Sequence, residues 1–331
     1  MPNKQKGVIS LALIFLLAVA VIITIGVWVF INQNEEQTQS TKQEKKTYTV
    51  LAVGDIACDP NNPNFNNGNG QNNMCVHKAV VEQMNKQNPD LVLLLGDIQY
   101  QSGQLQAFEQ SFVPIYQGLD SRIIAVPGNH DWMSGNLDGY KKTFDTYFPN
   151  AKAHIDSQTY FKDTLGKWSI YALDSDCEYV GGCNSGSKQY EWLSSQLAED
   201  NSLCSLGIWH HPIFTSGFHK ADGGETRAVN LYDLLQKNGT EMVLNGHDHN
   251  YQRFAKKMSD GRLSADGMRS FVSGGGGAEL HKLYQPLELG EDFALSEHGF
   301  VKLQLSDTNY SWEFITVDGR SLDRGQDSCR D

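Results

Sequence analysis

Five strand-like apolar stretches of the chain are each followed by side chains that can bind metal ions. These side chains occur in Gly54-Asp55, Gly96-Asp97-Ile98-Gln99-Tyr100, Gly128-Asn129-His130-Asp131, Trp209-His210-His211-Pro212 and Gly246-His247-Asp248-His249. Apolar runs of this length are typical of buried parallel strands, and open α/β sheets bind their ligands at the carboxyl ends of such strands. Carboxylate, imidazole and amide oxygen ligands suit Zn, Fe or Mn. We therefore predict that the five segments meet at a metal centre.

The spacing of these groups favours two neighbouring metal ions over a single one. His247 and His249 lie two residues apart at a strand end, a spacing that suits two neighbouring ions better than one. Asp97 is the natural candidate for a carboxylate that bridges the two ions. A pair of ions about 3.5–4 Å apart polarises a phosphoryl oxygen and generates hydroxide at neutral pH. The chemistry expected of such a pair is the hydrolysis of a phosphate ester.

The elements that would position these segments alternate between strand and helix along most of the chain. Strands are predicted at residues 49–53, 91–95, 123–126, 203–209 and 242–244, with shorter extended stretches at 160–161 and 168–173. Helices are predicted at residues 76–86, 105–116, 140–147, 188–199 and 227–237. Antiparallel strands are predicted at residues 269–273, 300–305 and 310–317. The pattern indicates one α/β domain extended by β-structure, without internal repeats.

An uncharged and almost wholly apolar stretch of 24 residues runs from Val8 to Ile31. At about 1.5 Å per residue, a helix of this length can cross a hydrocarbon core of roughly 30 Å. Lys4 and Lys6 precede it, which predicts that residues 1–7 stay in the cytoplasm and that the remainder is exported. We predict a transmembrane signal anchor at residues 8–31. A cleaved signal peptide is the alternative, although its apolar run is usually shorter.

The segment at residues 32–47 is polar, rich in Gln, Glu, Lys and Thr, and contains no aromatic residue. Such a composition cannot bury a hydrophobic core and is typical of a flexible stalk. The folded domain is therefore expected over residues 48–331. The predicted location is the cell membrane, crossed once, with the domain outside the cytoplasm, or secretion if the N-terminal segment is cleaved.

Several classes of function are disfavoured by composition and motif. The formal net charge of −12 disfavours nonspecific nucleic-acid binding, because that binding depends on Lys and Arg side chains against phosphates. The run Gly274–Gly277 lacks the Lys-Ser/Thr pair of a phosphate-binding Walker loop, and close backbone packing near the site is the better explanation. No Gly-x-Ser-x-Gly motif is present to support a serine nucleophile.

The six cysteines follow the predicted anchor and contain no C-x-x-C pair, which disfavours a zinc ribbon. An even number of cysteines in an exported domain favours disulfides. Cys58 and Cys75 bracket an Asn-rich loop, Cys177 and Cys183 bracket a short turn, and elimination would then pair the two that remain. Those two are Cys204 and Cys329. This pairing is one of fifteen that six cysteines allow.

The ordered set of segments resembles the calcineurin-like metallophosphoesterase superfamily, and within it the purple acid phosphatase-like branch. The resemblance extends over most of residues 50–317. Many superfamily members carry Asp-x-His in the first motif, whereas Ala57 stands two residues after Asp55 here. The purple acid phosphatase branch instead has a tyrosine three residues after the second aspartate, and Tyr100 occupies that position. The resemblance implies an α/β fold, a four-layer α/β/β/α sandwich, preceded by the one predicted transmembrane helix.

The resemblance also implies which residues hold the metals. Asp55, Tyr100 and His249 would hold the first ion, Asn129, His210 and His247 the second, and Asp97 would bridge both. The first ion is expected to be Fe(III), because a phenolate suits a hard, highly charged ion and would give a visible charge-transfer colour. The second is expected to be Fe(II), Zn or Mn. His210 is preferred to His211 because the family pattern is His-x-Pro, and Pro212 sets the register.

Three further side chains are implied to act on the substrate: His130, Asp131 and His219. His130 would lie beside the phosphate, oriented by Asp131 or donating to a phosphate oxygen. His219 would assist the leaving group. The implied mechanism is direct hydrolysis of a phosphomonoester by a metal-bound hydroxide, with one imidazole protonating the departing alkoxide.

Other interpretations of the same residues stay open. A phosphodiesterase or nucleotide-cleaving hydrolase would use the same site, and so would a phosphatase acting on exported proteins. A surface-tethered binding module with a structural metal belongs to a different class, but a structural site normally closes its coordination shell. The expected partners are a small phosphorylated substrate and the membrane through residues 8–31, without nucleic acid. The oligomeric state is left open.

Overall fold

The computed structural model describes residues 27–30, 46–119, 122–222 and 226–330 of the chain. The chain divides into two compact units, Met1–Lys45 and Lys46–Asp331. The predicted anchor and stalk fall in the first unit, where residues 27–30 are helical and the others lie outside the described residues. Among the residues that the structure describes, none belongs to a helix with the length and apolar character needed to cross a membrane.

The described part of the second unit forms thirteen strands and seven α-helices. The strands are β1 Tyr48–Val53, β2 Leu91–Leu95, β3 Arg122–Val126, β4 Phe161–Leu165, β5 Trp168–Ala172, β6 Cys204–Ile208, β7 Met242–Asn245, β8 Tyr251–Lys257, β9 Met268–Ser273, β10 Glu291–Leu295, β11 Gly299–Leu305, β12 Asn309–Thr316 and β13 Ser321–Ser328. The helices are α1 His77–Asn85, α2 Leu105–Gln110, α3 Phe112–Tyr116, α4 Asn129–Trp132, α5 Asp138–Tyr147, α6 Lys188–Ala198 and α7 Val229–Lys237. Two short 3₁₀ helices add Asn66–Gly68 and Phe218–Asp222.

The strands form two mixed sheets. The first has the order β13-β12-β11-β1-β2-β3, and the second has the order β10-β8-β9-β7-β6-β5-β4. Strands β1, β2 and β3 run parallel to one another, as do β5, β6, β7 and β9, while the outer strands pair antiparallel. The parallel strands of each sheet therefore end at a common edge, where polar segments that are distant in sequence can meet.

Alternation of side chains explains why the apolar runs of β1 and β2 bury both faces of the first sheet. Val50 and Ala52 belong to the core between the two sheets, which also includes Ile170 of the second sheet. Leu51 and Val53 point to the opposite face, where α1, α2, α3 and α5 cover them. Helices α6 and α7 cover the outer face of the second sheet. The layers therefore run helix, sheet, sheet, helix, as the resemblance implied.

Three strands were missing from the sequence prediction, namely β8, β10 and β13. Strands β10 and β13 lie at the edges of their sheets and are rich in charged residues, which is a common way to prevent edge-to-edge pairing with other molecules. The predicted single helix at 105–116 is also wrong. The structure has two short helices there, and the break between them falls at Ser111, three residues before Pro114. Proline has no backbone N–H with which to continue a helix, but it is tolerated in the first turn of a new one.

The disulfide pairing predicted from the sequence is confirmed. Cys58 bonds to Cys75, Cys177 to Cys183 and Cys204 to Cys329. The third bond joins the start of β6 to the residue after β13, across a sequence separation of 125 residues. The unit Lys46–Asp331 thus contains both sheets, all three disulfides and all of the core clusters found among the described residues.

Candidate metal centre

The seven predicted ligands lie together at the edge where the two sheets place the carboxyl ends of their parallel strands. Each follows a strand of the fold: Asp55 follows β1, Asp97 and Tyr100 follow β2, Asn129 follows β3, His210 follows β6, and His247 and His249 follow β7. They are buried, apart from Asn129, which is partly buried. Residues that are up to 194 positions apart in the sequence therefore lie together at this edge.

One group of ligand atoms surrounds the hydroxyl of Tyr100. This hydroxyl lies 2.9 Å from Asp55 Oδ1, 3.1 Å from Asp97 Oδ2 and 2.9 Å from His249 Nε2. His249 Nε2 is also 3.3 Å from Asp55 Oδ1. Four residues that can each supply a lone pair therefore point their polar atoms at one small volume.

A second group shares Asp97 with the first. Asp97 Oδ2, the oxygen that contacts Tyr100, is 3.2 Å from His210 Nε2, and His210 Nε2 is 3.2 Å from His247 Nδ1. Among the described residues, the buried amide oxygen of Asn129 has no hydrogen-bond donor. A buried acceptor without a donor is costly, and a bound cation would satisfy it. The residues present therefore fit a metal pair that shares Asp97.

Backbone carbonyls orient two of the histidines for metal binding. His210 Nδ1 donates to the carbonyl of Leu95 at 2.8 Å, and His249 Nδ1 donates to the carbonyl of Glu279. A carbonyl only accepts, so each Nδ1 must carry the hydrogen, and each Nε2 presents its lone pair to the cluster. Metal-binding histidines commonly show this arrangement, because the second hydrogen bond fixes the tautomer and the ring orientation.

Three of the clustered residues adopt a left-handed backbone conformation that non-glycine residues rarely occupy. The φ angles are +60° at Asp55, +48° at Asp97 and +70° at His247. The His247 amide donates to Asp55 Oδ2 at 2.8 Å, which holds the ends of β1 and β7 together. Backbone strain of this kind concentrates at functional sites, where the surrounding structure maintains it.

The charges in the cluster are strongly coupled. Burial disfavours the ionised form of Asp97, but the adjacent His210 imidazole outweighs burial and holds the pKa of Asp97 well below its usual range. Burial likewise opposes protonation of His210, but the Asp97 carboxylate raises the pKa of His210 to about 10. Burial and the carboxylates of Asp55 and Asp97 raise the pKa of Tyr100. A metal cation bound at these atoms would displace the protons, since it binds the deprotonated ligands.

Gly96 leaves room for the His210 ring, and we expect Gly96→Ala to destabilise the protein markedly. The φ angle of Gly96 is +89°, and a Cβ there would lie 2.5 Å from His210 Nδ1. Gly135 is a matched control, with φ of +73° and no atom within 4 Å of an added Cβ. Urea unfolding should show a loss of about 1–2 kcal/mol for Gly135→Ala, from backbone strain alone. For Gly96→Ala we expect about 3 kcal/mol or more, and equal losses would contradict the close approach.

The structure places the three residues predicted to act on the substrate in different surroundings. His130 lines the cleft above Asp97, and its Nδ1 donates to the carbonyl of Gln101 at 2.6 Å, which leaves Nε2 as the acceptor nitrogen. His219 also lines the cleft, and its ring stacks on His247 with centroids 3.7 Å apart.

The orientation of His130 by Asp131 is not found, because the Asp131 carboxylate points to the backbone instead. It accepts hydrogen bonds from the amides of Ile98, Gln99 and Gly128, at 3.1–3.3 Å for the first two and 3.0 Å for the third. Burial and the charge of Asp97 raise the pKa of Asp131 to about 7. Asp131 therefore joins the loops after β2 and β3, and the carbonyl of Gln101 orients His130.

Two residues of the site were missed by sequence reasoning. His281 stacks on His249 with ring centroids 3.8 Å apart and lies 3.6 Å from the carboxylate of Asp248. Asp248 lies between His247 and His249, just after β7. Its side chain is buried and accepts a hydrogen bond from Thr215. The one sequence signal near His281 was the preceding glycine run. Gly274 packs against Asp55 and Asp248, so the chain beyond it stays close to the site.

The cleft above the cluster has a volume of about 310 Å³. Its walls include His130, His219, His281 and Phe218, and Asp59 and Met74 from the Asn-rich loop closed by the first disulfide. Three imidazoles thus surround an opening whose floor contains Asp97, Tyr100 and Asn129. A ligand with a compact anionic head fits these surroundings, because the imidazole N–H groups of His219 and His281 can donate hydrogen bonds to it.

Comparison with known proteins identifies relatives of the chain. The family model for calcineurin-like phosphoesterases matches residues 48–251. Purple acid phosphatase 15 of Arabidopsis thaliana is 27% identical over 222 residues, which are 57% of this chain and 40% of that protein. Purple acid phosphatase 4 of the same plant is 25% identical over 256 residues, which are 70% of this chain and 72% of that protein.

The fold is also shared with a solved structure, the purple acid phosphatase PPD1 isolated from yellow lupin (Lupinus luteus) seeds. The two superpose with a TM-score of 0.71 at 19% sequence identity, over 86% of this chain and 54% of that chain. The chain therefore spans about half the length of two of these three relatives.

Proposed function

Because the chain belongs to the calcineurin-like phosphoesterase family, on its purple acid phosphatase-like branch, we propose that it hydrolyses phosphomonoesters in the cleft above Asp97. The family consists of metal-dependent phosphoester hydrolases with a binuclear metal centre. The observation that carries the proposal is the position of Asp97 Oδ2. This one oxygen is 3.1 Å from the Tyr100 hydroxyl and 3.2 Å from His210 Nε2, so it can bridge two ions.

The proposed metal ligands are those predicted from the sequence. Asp55, Tyr100 and His249 would bind Fe(III), Asn129, His210 and His247 would bind Fe(II), Zn or Mn, and Asp97 would bind both. Hard phenolate and carboxylate oxygens around Tyr100 support a trivalent ion, and the imidazoles of the second group support a borderline divalent ion. Two such ions supply Lewis-acid polarisation of the phosphoryl oxygen and a lowered pKa for bound water.

The side chains of the cleft would bind the phosphate and deliver a proton. His130 is held by the carbonyl of Gln101, so its Nε2 is available to accept a hydrogen bond from a protonated phosphate oxygen. His219, stacked on His247, would give the proton of its imidazole to the departing ester oxygen. Asp131 has a positioning role, because its three amide hydrogen bonds hold the loops that present Asp97 and Asn129.

The proposal includes a location outside the cytoplasm. Residues 8–31 would anchor the chain in the cell membrane, residues 1–7 would remain inside, and residues 32–47 would connect the anchor to the domain at 48–331. Three disulfides in the domain support this location, because disulfides persist in oxidising compartments. Protease added to intact cells should release or degrade the domain, and complete protection would contradict the location.

The function is tested on the unit Lys46–Asp331, purified without chelator. We expect about two metal ions per chain, a visible absorption band and turnover of p-nitrophenyl phosphate. In Tyr100→Phe the band should disappear, because the phenolate that produces it is gone. Tyr116→Phe is the control, because this phenol is buried in the core and its hydroxyl has no hydrogen-bond partner in the described part of the chain, so colour and turnover should persist.

Each outcome of this experiment separates one interpretation from another. Turnover of bis(p-nitrophenyl) phosphate without turnover of the monoester would keep the site but change the substrate class to diesters. No turnover of either ester by the fully metal-loaded unit would reject the proposed function.

A further inference from the structure

Two pairs of stacked imidazoles lie side by side at the cleft. His219 stacks on His247 with ring centroids 3.7 Å apart, and His281 stacks on His249 with centroids 3.8 Å apart. The rings of His219 and His281 are 5.7 Å from each other, and both residues line the cleft. Each therefore covers one of the proposed metal ligands. The proposed function gives His219 a role in the reaction but gives His281 none.

Backbone groups hold the His281 ring in one position. The amide of His281 donates to the carbonyl of His249 at 2.9 Å, and the carbonyl of His281 accepts a hydrogen bond from Ser296 Oγ at 2.8 Å. In return, the amide of His249 donates to His281 Nδ1 at 3.3 Å. The ring is thus oriented before any ligand binds, so little side-chain entropy is lost when it contacts one.

The same contacts determine which ring nitrogen of His281 carries the hydrogen. A backbone amide can only donate, so Nδ1 must offer its lone pair to His249, and the hydrogen of the neutral ring lies on Nε2. Asp248 Oδ1 is 3.6 Å from Nδ1 and accepts a hydrogen bond from the amide of His219 at 3.2 Å. The Nε2 atom makes no hydrogen bond within the described part of the chain, and the side chain is 22% exposed. His281 therefore presents an N–H group to the cleft.

An anion in the cleft needs such a donor, because carboxylates also surround it. Asp59 and Glu279 line the cleft, and so does Asp97 of the metal cluster. His130 presents the lone pair of its Nε2, since its Nδ1 donates to a backbone carbonyl. The Nε2 hydrogen of His281 is therefore a fixed donor in surroundings that otherwise repel negative charge.

We propose that His281 is a substrate-binding residue that donates from Nε2 to an oxygen of the phosphate group. This inference rests on the proposed function and adds a third imidazole to it. A hydrogen bond to a charged oxygen is about twice as strong as one between neutral groups. The bond forms with the bound ester and with the phosphate product, so it should lower KM and strengthen product inhibition more than it changes kcat.

The test compares His281→Asn with His281→Gln in the metal-loaded unit Lys46–Asp331. The Asn amide lies near the position of Nδ1, so it can still accept from the His249 amide but has no donor at the position of Nε2. The longer Gln side chain carries its NH₂ group near that position. In His281→Asn, KM for p-nitrophenyl phosphate and the inhibition constant of inorganic phosphate should both rise about tenfold or more. In His281→Gln both should stay within about threefold of wild type, and kcat should change little in either variant.

A merely structural role for His281 predicts a different result. Both variants lose the ring that stacks on His249, so a packing role would affect them equally and would change the metal content and the visible absorption band. We expect both of these to match wild type. His154→Asn is the control, because His154 lies outside the cleft and contacts Asp145, so KM and phosphate inhibition should not change. Equal KM values in wild type and His281→Asn, or equal losses in the Asn and Gln variants, would overturn the proposal.

Binding measured without turnover separates this inference from the proposed function. Calorimetry with inorganic phosphate should show an affinity that falls in His281→Asn and is restored in His281→Gln. If neither ester is hydrolysed but phosphate affinity follows this pattern, the assignment of His281 stands and the hydrolase assignment fails. If p-nitrophenyl phosphate is hydrolysed and phosphate binds equally well to all three proteins, the assignment of His281 fails alone.

Discussion

Asp97→Asn is expected to lower kcat/KM for p-nitrophenyl phosphate by about a thousandfold or more. The substitution keeps the size of the side chain but removes the negative charge that would bridge two cations. Asp97 Oδ2 contacts both Tyr100 and His210, so the two halves of the cluster lose the ligand they share. Metal analysis should show fewer than two ions per chain after dialysis.

The control for this variant is another buried aspartate, Asp323, which lies outside the cluster. Its carboxylate accepts from the Tyr251 hydroxyl and from Arg253 Nε, both at 2.7 Å. Asp323→Asn should lower the free energy of unfolding, because it weakens a charged hydrogen-bond pair, while turnover per folded molecule stays near that of wild type. Wild-type turnover and full metal content in Asp97→Asn would show that the bridging role is wrong.

Removal of the Cys204–Cys329 bond by the double substitution Cys204→Ser, Cys329→Ser is expected to cost about 5 kcal/mol of unfolding free energy. The bond closes a loop of 125 residues in the unfolded chain, and the entropy that a disulfide removes grows with the logarithm of loop length. The loss should appear as a lower urea midpoint in unfolding followed by circular dichroism.

The short disulfide provides an internal comparison for this effect. Cys177 and Cys183 are six residues apart, and their replacement by serine should cost only about 2 kcal/mol. The intermediate bond, Cys58–Cys75, spans 17 residues and should fall between the two. Equal costs for the long and the short bond would show that loop closure does not govern the stability that these bonds provide.

Much of the metal cluster could be predicted because strand ends leave a strong local signal. A buried parallel strand reads as a continuous apolar run, and Asp55, Asp97 and His247 each follow such a run within two or three residues. His247 contacts His210 while His249 contacts Tyr100. An extended strand would place side chains two residues apart on the same side, but the chain bends after β7, with a φ of +70° at His247, so the two rings reach different halves of the cluster.

Other features depended on segments that only packing brings together. Asp131 follows His130 in the sequence and was assigned to it, but the folded loops offer its carboxylate three backbone amides, which satisfy a buried carboxylate better. The edge strands β10 and β13 lack the apolar alternation of a buried strand, and each pairs with another strand along only one of its two edges. Neither the hydrogen bonds of Asp131 nor the edge strands could be predicted from the order of the residues alone.

The sequence by itself determined the α/β class, the strand ends that present the seven metal-ligand candidates, and the two short disulfides, because each depends on local periodicity or on short bracketing intervals. The third disulfide, Cys204–Cys329, spans 125 residues and followed from the sequence only by elimination. Only the tertiary structure decided that His281 stacks on His249 and that Phe218 lines the cleft. The physical reason is distance along the chain. His281 is 32 residues from its partner, and the contact exists only because the two segments pack against the same sheet edge.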